Sequence, residues 1–265
     1  KDGPSDLGFD FTCSLPQGIQ GPPYIAFRNG FLDGNPDDLI EWKPGTYGDS
    51  VIPTNGFGLK QWDSSVAGPN LIREATGFID RHVVADTCKP FFMHYCTESC
   101  HIPHTPPKTL AGKPVRGTAG DAHLDMLYEA DIQLGMLVAR LKAHGILEKT
   151  LILFTSDNGG LARGKPGQKL LGHNSNAPLR GSKATIWEGG HRVPLIAHWG
   201  NGTRTGSTIT PAATSSALVG LQDIFATLAE LTGQTLQAEQ GLDSQSFLPA
   251  LLQQGPARLR HELLV

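Results

Sequence analysis

Two adjacent oxygen donors, Asp157 and Asn158, directly follow an apolar run at 150–155. A carboxylate beside an amide oxygen suits a hard cation such as calcium or magnesium. Taken alone, the stretch is more simply explained as a turn, because Asp, Asn and Gly favour turns for backbone reasons. Two ligands cannot complete a six-coordinate site, so a metal site here requires further ligands from elsewhere.

Two histidines, His101 and His104, lie three residues apart in a proline-rich loop, and each is followed two residues later by proline. Proline fixes φ, so this loop is expected to hold both imidazoles in place. Zinc ligation is conceivable, but no third ligand stands at a useful spacing. A histidine near the end of a strand is usually a loop residue without a chemical role.

A stretch rich in cations and glycine occupies 178–194 and contains Arg180, Lys183 and Arg192. Glycine lets the backbone approach a ligand closely, and lysine supplies a compact positive charge for an anion. The alternative interpretation is a solvated loop in which Glu188 pairs with Arg180 or Arg192.

The elements that must position these residues alternate between helix and strand. Apolar spacing indicates the helices, and continuous apolar runs indicate strands covered on both faces. The predicted elements are helices over 70–84, 121–144 and 217–232 and strands at 91–95, 150–155 and 193–199. This alternation predicts an α/β fold with a doubly wound, mostly parallel sheet flanked by helices. Ligands bind beyond the carboxyl ends of such strands, where the Asp-Asn pair and the histidine loop follow.

Helix 121–144 has the clearest apolar stripe. Its predicted buried residues are Leu124, Leu127, Leu134, Leu137, Val138 and Leu141.

Composition excludes two classes of partner. The 22 Lys and Arg residues are spread along a chain of net charge -3, so we expect no nucleic acid. No apolar run approaches the roughly 20 residues that span a bilayer, so we expect no membrane partner. Cys96 and Cys100 could pair or bind a soft metal, but we interpret them as ordinary small residues beside a loop.

Three stretches taken together, "LILFTSDNGG", "PLRGSKATIWEGGHRVP" and the upstream "HIPHTPP", resemble the sulfatase (arylsulfatase-like) family of the alkaline phosphatase superfamily. An early "GFDF" and a late "LQDIFATLAELTG" stand in the matching order, so the resemblance covers nearly the whole chain. It implies an alkaline-phosphatase-like fold and hydrolysis of a sulfate monoester, either aryl or carbohydrate.

The resemblance also implies residue roles. Asp157 and Asn158 would be ligands of a metal that is typically calcium and sometimes magnesium. Lys183 would bind the sulfate oxygens, and His101 would contact the sulfate or the leaving-group oxygen. His104 is the second candidate for substrate binding, because His101 aligns better with the family's His-x-Pro pattern.

The family's nucleophile is a formylglycine that a maturation enzyme installs in a Cys/Ser-x-Pro-x-Arg motif, and no cysteine or serine of this chain begins one. In the family that motif, like the paired aspartates of the metal site, lies upstream of "GFDF". We therefore expect 1–265 to be a single partial catalytic domain, incomplete at both ends. It would lack the nucleophile segment and the C-terminal subdomain, and alone it would be inactive. The full-length protein is expected to be periplasmic or secreted.

Two other functions remain open from the residues alone. One is a phosphodiesterase or phosphonate hydrolase of the same superfamily, which often uses two transition metals. The other is a non-catalytic module that binds sulfated glycans through the cationic stretch. The loops at 20–65 and 160–178 are expected to shape the substrate pocket without identifying the substrate.

Overall fold

The computed structural model describes most of the chain in two compact units. The described residues are 3–41, 54–85, 89–162, 174–254, 260 and 262–263. Unit 1 consists of Lys1–His144 and Arg163–Asn174, and unit 2 consists of Gly145–Ala162 and Ser175–Val265. The parts of the predicted pocket loops at 42–53 and 163–173 lie outside the described residues.

Unit 1 combines two long helices with short antiparallel ribbons. The helices are α1 (Ala67–Ala85) and α2 (Ala122–Ala143). The strands are β1 (Cys13–Ser14), β2 (Phe27–Arg28), β3 (Phe31–Leu32), β4 (Asp38–Ile40), β5 (Gly56–Gly58), β6 (Thr109–Leu110) and β7 (Lys113–Pro114). They pair as β1-β2-β3, β4-β5 and β6-β7, always antiparallel.

The core of unit 1 lies between α1 and α2, whose predicted ranges are confirmed. Ile72 and Ala75 of α1 pack with Ile132 of α2 and with apolar residues of the β6-β7 ribbon. The carboxylate of Asp121 caps α2 by accepting a hydrogen bond from the amide of Leu124 at 2.8 Å.

The predicted apolar stripe of α2 is only partly confirmed, because Leu141 is buried and Leu137 packs against the core but the rest of the stripe is not buried. Leu127 is half exposed, and the most deeply buried face instead contains polar side chains. The buried residues of α2 are Asp125, Met126, Glu129, Ile132, Gln133 and Leu141. Polar side chains can occupy core positions where they have hydrogen-bond partners, and the polar side chains of α2 have such partners. An apolar stripe does not mark those positions.

The apolar segment 91–95 is not a strand of any sheet in the part of the chain described. Its side chains alternate, so that Met93 and Tyr95 pack against the core while Phe92 remains exposed. The apolar run correctly indicated burial, but a strand also requires a hydrogen-bonding neighbour, which composition does not reveal.

Unit 2 contains one two-stranded sheet and three helices among its described residues. The elements are β8 (Ile152–Thr155), α3 (Glu188–His191), β9 (Leu195–His198), α4 (Asp223–Leu231) and α5 (Leu248–Leu251). Two predicted strands are thus confirmed, while α4 begins six residues later than predicted. Asp223 accepts a hydrogen bond from the amide of Gly220 at 2.8 Å, which fixes a turn where helix was expected.

The expected mostly parallel sheet is not seen among the described residues, where β8 and β9 pair antiparallel, with Ile152 opposite His198 and Thr155 opposite Leu195. Apolar runs indicate burial but carry no information on strand direction, so the sequence could not distinguish the two arrangements. Phe154 and Ile196 remain 37% and 58% exposed on this sheet. None of the helices described here is long and apolar enough to cross a membrane.

Candidate functional site

The turn at 156–160, here called the Asp-Asn turn, follows β8 directly. The hydroxyl of Ser156 donates to the carbonyl of Asn158 at 2.9 Å, and Nδ2 of Asn158 donates to the carbonyl of Gly159 at 3.1 Å. These bonds leave Oδ1 of Asn158 as an acceptor, beside the exposed carboxylate of Asp157. The stretch is therefore a hydrogen-bonded turn that also presents two oxygen donors.

The backbone of this turn is joined to the loop at 176–192, here called the lysine loop. The amide of Gly159 donates to the carbonyl of Gly190 at 2.8 Å, and the amide of Lys183 donates to the carbonyl of Gly160 at 2.9 Å. The side chain of Asn176 bonds both backbone groups of Gly160, at 2.9 and 3.1 Å. Unit 2 thus brings the two predicted metal ligands and the predicted sulfate-binding lysine into one hydrogen-bonded assembly.

Glycine is required where these two segments meet. A Cβ on Gly159 would overlap the carbonyl of Gly189, and a Cβ on Gly190 would overlap the carbonyl of Thr185. Both clashes are with backbone atoms, which cannot rotate away as a flexible side chain can. The glycines of "DNGG" and "EGG" therefore permit the close approach of turn and loop.

The charged groups of the lysine loop are held in different ways. The guanidinium of Arg180 stacks over the ring of Trp187, 3.5 Å from its centroid. Glu188 pairs with Arg192 at 3.1 Å, as the solvated-loop interpretation expected, and thereby neutralises one cation. The half-buried Lys183 forms no ion pair with the described carboxylates, so its charge is available to an anion.

The two predicted histidines belong to unit 1, in the segment 96–107, here called the histidine loop. His101 is half-buried, and its Nδ1 lies 2.9 Å from the carbonyl of Ile102. A carbonyl can only accept, so Nδ1 carries a proton and Nε2 of the neutral ring is an acceptor.

His104 lies in a different environment and is completely buried. Its ring packs edge-to-face on His123, with centroids 5.0 Å apart. Burial, together with the charge of His123, lowers the pKa of His104 to about 4. The ring is therefore neutral near pH 7 and acts there as a hydrogen-bonding group without charge.

A polar network that the sequence did not reveal links the histidine loop to α2. It consists of Glu98 of the loop and Glu129 and Gln133 of the helix. Its only signal in the sequence was the i, i+4 spacing of two polar residues on the core-facing side of α2. Cys100 carries a free thiol, so it is not joined to Cys96.

The donor chemistry of the Asp-Asn turn fits part of a calcium site. Calcium takes about six to eight oxygen ligands, and Asp157 and Asn158 supply two oxygen-bearing side chains. Within the described ranges, no group of three His, Cys, Asp or Glu residues could hold a metal ion. The two side chains thus match a hard cation in type but do not surround one.

Comparison with known proteins identifies the family to which this chain is similar. The sulfatase family model matches residues 2–234. N-acetylgalactosamine-6-O-sulfatase of Bacteroides thetaiotaomicron is 27% identical over 93% of this chain and 52% of its own length. Rat (Rattus norvegicus) steryl-sulfatase is 32% identical over 88% of this chain and 36% of its own.

The solved structures include a similar fold. A structure of a 6S-sulf protein, reported with the metabolism of multiple glycosaminoglycans by Bacteroides thetaiotaomicron, superposes with a TM-score of 0.77 and 24% identity. The match covers 95% of this chain and 56% of that one, and it shows a sulfatase-like fold. The chain spans about half the length of the bacterial relative that it matches, and less of the rat enzyme. On the evidence of the family match, the chain belongs to the sulfatase family.

Proposed function

We propose that this chain supplies substrate-binding and metal-binding residues for hydrolysis of a carbohydrate sulfate ester. The observation that carries the proposal is the joining of the Asp-Asn turn to the lysine loop by two backbone hydrogen bonds. Those bonds place two oxygen donors on the same framework as the Lys183 ammonium, which pairs with none of the described carboxylates. Family membership gives this framework a sulfuric ester hydrolase lineage.

Lys183 would bind the sulfuryl oxygens as a compact cation. Its backbone amide is fixed by Gly160, so less conformational freedom is lost when the anion binds. Asp157 and Asn158 would hold calcium, or magnesium, which supplies further positive charge to the sulfuryl oxygens when bound. Such preorganised charge is usually the largest contribution to stabilising a transition state.

His101 would act at the leaving-group oxygen or contact the sulfate. Because Nδ1 is bound to the carbonyl of Ile102, Nε2 is the nitrogen that remains for substrate. Nε2 can donate to an oxygen only while the ring carries both protons. His104, which is neutral and buried, is the second candidate and could contribute only as an uncharged hydrogen-bonding group.

The nucleophile would be formylglycine, installed by a maturation enzyme in a Cys/Ser-x-Pro-x-Arg motif. Residues 1–265 contain no such motif. We therefore propose that the chain binds sulfate esters but does not hydrolyse them by itself.

Carbohydrate is the proposed substrate class because the bacterial relative that matches 93% of the chain is named for N-acetylgalactosamine 6-O-sulfate. A steryl sulfate is the second candidate, since the rat relative is a steryl-sulfatase.

Calorimetric titration of the purified chain with N-acetylgalactosamine 6-sulfate, in the presence of calcium, tests the proposal. We expect binding that weakens about tenfold or more in Lys183→Ala, because a charge-assisted contact contributes about 1.5–3 kcal/mol. Lys149→Ala is the matched control, since it removes an exposed lysine of the same unit. Equal affinity of the wild type and Lys183→Ala would refute the role of Lys183.

Three further ligands discriminate between the alternatives. Tighter binding of N-acetylgalactosamine 6-phosphate would favour a phosphoryl-transfer relative, and tighter binding of a steryl sulfate would favour the second substrate class. Release of sulfate from an aryl sulfate, above the level of Lys183→Ala, would disprove the proposed inactivity. His101→Ala and His104→Ala separate the two histidines, because only the one that contacts substrate should weaken binding without unfolding unit 1.

A further inference from the structure

Two glutamate carboxyls converge beside the histidine loop in unit 1. Glu98 lies on the loop, three residues before His101, and its carbonyl accepts a hydrogen bond from the amide of His101 at 3.1 Å. Glu129 lies on α2 and is 1% exposed. A Cβ on Gly68 of α1 would lie 2.1 Å from Oε1 of Glu129 and 2.3 Å from Oε1 of Glu98, so the two carboxyls lie close together against α1.

Gln133 of α2 connects this acid pair to the histidine loop and the segment before it. Its Nε2 donates to Oε1 of Glu129 at 3.0 Å. Its Oε1 accepts hydrogen bonds from the hydroxyls of Tyr95, at 2.7 Å, and Thr97, at 2.8 Å. The Gln133 side chain therefore ties Tyr95 and Thr97, which precede His101, to Glu129 of the acid pair.

Among the residues that the structure describes, the pair has no cationic partner. Burial raises the pKa of Glu98 to about 7, and burial with the charge of Glu98 raises the pKa of Glu129 to about 8. Two carboxylates that lie this close beside Gly68 repel each other strongly when both are ionised. The pair therefore holds at least one proton at neutral pH.

The other groups that face the pair do not neutralise it. From the loop side these are Ser99, whose uncharged side chain faces Glu129, and Tyr95 and Cys100, whose pKa values are raised by burial and by the two carboxyls. From the helices they are the uncharged Gly68 and Gln133. Over the described residues, no Lys, Arg or His contributes to the pKa of either carboxyl.

We infer that Glu98 and Glu129 share one proton, and that this protonated pair positions the histidine loop. With the proton present, a hydrogen bond between the carboxyls joins the loop to α2. When both carboxyls ionise, two like charges in contact repel, and residues 96–101 separate from α1 and α2. The inference adds pH control to the position of the histidine loop within unit 1, and it rests on the proposed function only for the role of His101.

Amide hydrogen exchange of the wild-type chain between pH 6 and 9, corrected for intrinsic rates, tests this inference. We expect the protection of peptide 95–104 to fall about tenfold for each pH unit above the ionisation of the pair. Peptide 136–143 of α2 should keep its protection and serves as the internal control.

Two variants separate a shared proton from simple packing. Glu129→Gln keeps the side-chain shape and cannot ionise, so its peptide 95–104 should stay protected up to pH 9. Glu129→Ala removes the link and should lower protection equally at every pH. A pH-independent loss in both variants, or constant protection in the wild type, would overturn the inference.

Infrared spectroscopy of the wild-type chain provides a test that requires no variant. A protonated carboxyl should be present at pH 6 and absent at pH 9, and its absence at pH 6 would overturn the shared proton. The two proposals can fail separately: loss of sulfate-ester binding concerns Lys183, whereas flat exchange profiles concern only the acid pair.

Discussion

At the scale of single residues, the meeting of the Asp-Asn turn and the lysine loop depends on backbone atoms. The hydrogen bond from Gly159 to Gly190 is 2.8 Å long, and the two backbone segments leave no room between them for a methyl group. The functional side chains therefore depend on glycines that carry no chemistry themselves.

The first prediction concerns Gly159→Ala. The new methyl would overlap the carbonyl of Gly189, so we expect a loss of about 2 kcal/mol or more in the free energy of unfolding of unit 2. Calcium-dependent binding of the sulfated sugar should also weaken. Urea denaturation measures the stability.

Gly135→Ala is the matched control for this change. It places a methyl on an exposed position of α2 with no neighbour within 4 Å, and alanine favours helix over glycine by up to about 1 kcal/mol. Equal stabilities of the two variants would show that the turn and loop are not closely packed.

Residue type and spacing were sufficient to select Asp157, Asn158 and Lys183 as candidates. They also offered Arg180 or Arg192 as the partner of Glu188, and the structure pairs Glu188 with Arg192. They could not select Glu98 and Glu129, because residues 31 apart in sequence meet only after α1 and α2 have packed. Functional groups that are neighbours in the sequence can be recognised from it, but contacts between polar groups that are far apart in the sequence cannot.

At the scale of elements, α2 illustrates the same limit. Its range was predictable from spacing and from Asp121 and Gly145 at its ends. Its buried face was not, because Asp125, Glu129 and Gln133 take core positions that an apolar stripe does not mark. Strand direction could not be predicted either, because β8 has the composition of a parallel strand but pairs antiparallel with β9.

The second prediction concerns the start of α2. Asp121→Ala removes the side chain that accepts from the amide of Leu124, so we expect a loss of about 1 kcal/mol in the free energy of unfolding. Asp131→Ala, an exposed change within the same helix, should alter it by less than about 0.5 kcal/mol. Chemical denaturation of both variants tests the assignment of Asp121 as the cap, and equal losses would refute it.

At the scale of the whole molecule, two sets of carboxyl groups make the free energy of unfolding depend on pH in opposite directions. Glu98 and Glu129 bind protons more tightly in the folded chain, so their contribution is complete below about pH 4.5 and is lost as pH rises through 7 and 8. The hydrogen bond from Arg28 lowers the pKa of Glu74. The contribution of Glu74 to the free energy of unfolding is therefore present above pH 4.5 and is lost as pH falls.

The third prediction follows from these opposite signs. The free energy of unfolding should be highest near pH 4.5 and decline on both sides, on the alkaline side as pH rises toward about 8. Glu129→Gln should flatten the alkaline decline, whereas Glu230→Gln, at an exposed position of α4, should leave it unchanged. Urea denaturation at pH 5 to 9 measures the profile, and an alkaline decline that persists in Glu129→Gln would contradict the assignment.

The central claim is that the Asp-Asn turn and the lysine loop together bind a sulfate ester. An NMR titration of the labelled chain with N-acetylgalactosamine 6-sulfate and calcium tests it most directly. The account predicts shifts in the amide signals of Asn158, Gly160 and Lys183, and their loss in Lys183→Ala but not in Lys149→Ala. Shifts confined to other residues, or the same shifts in Lys183→Ala, would contradict it.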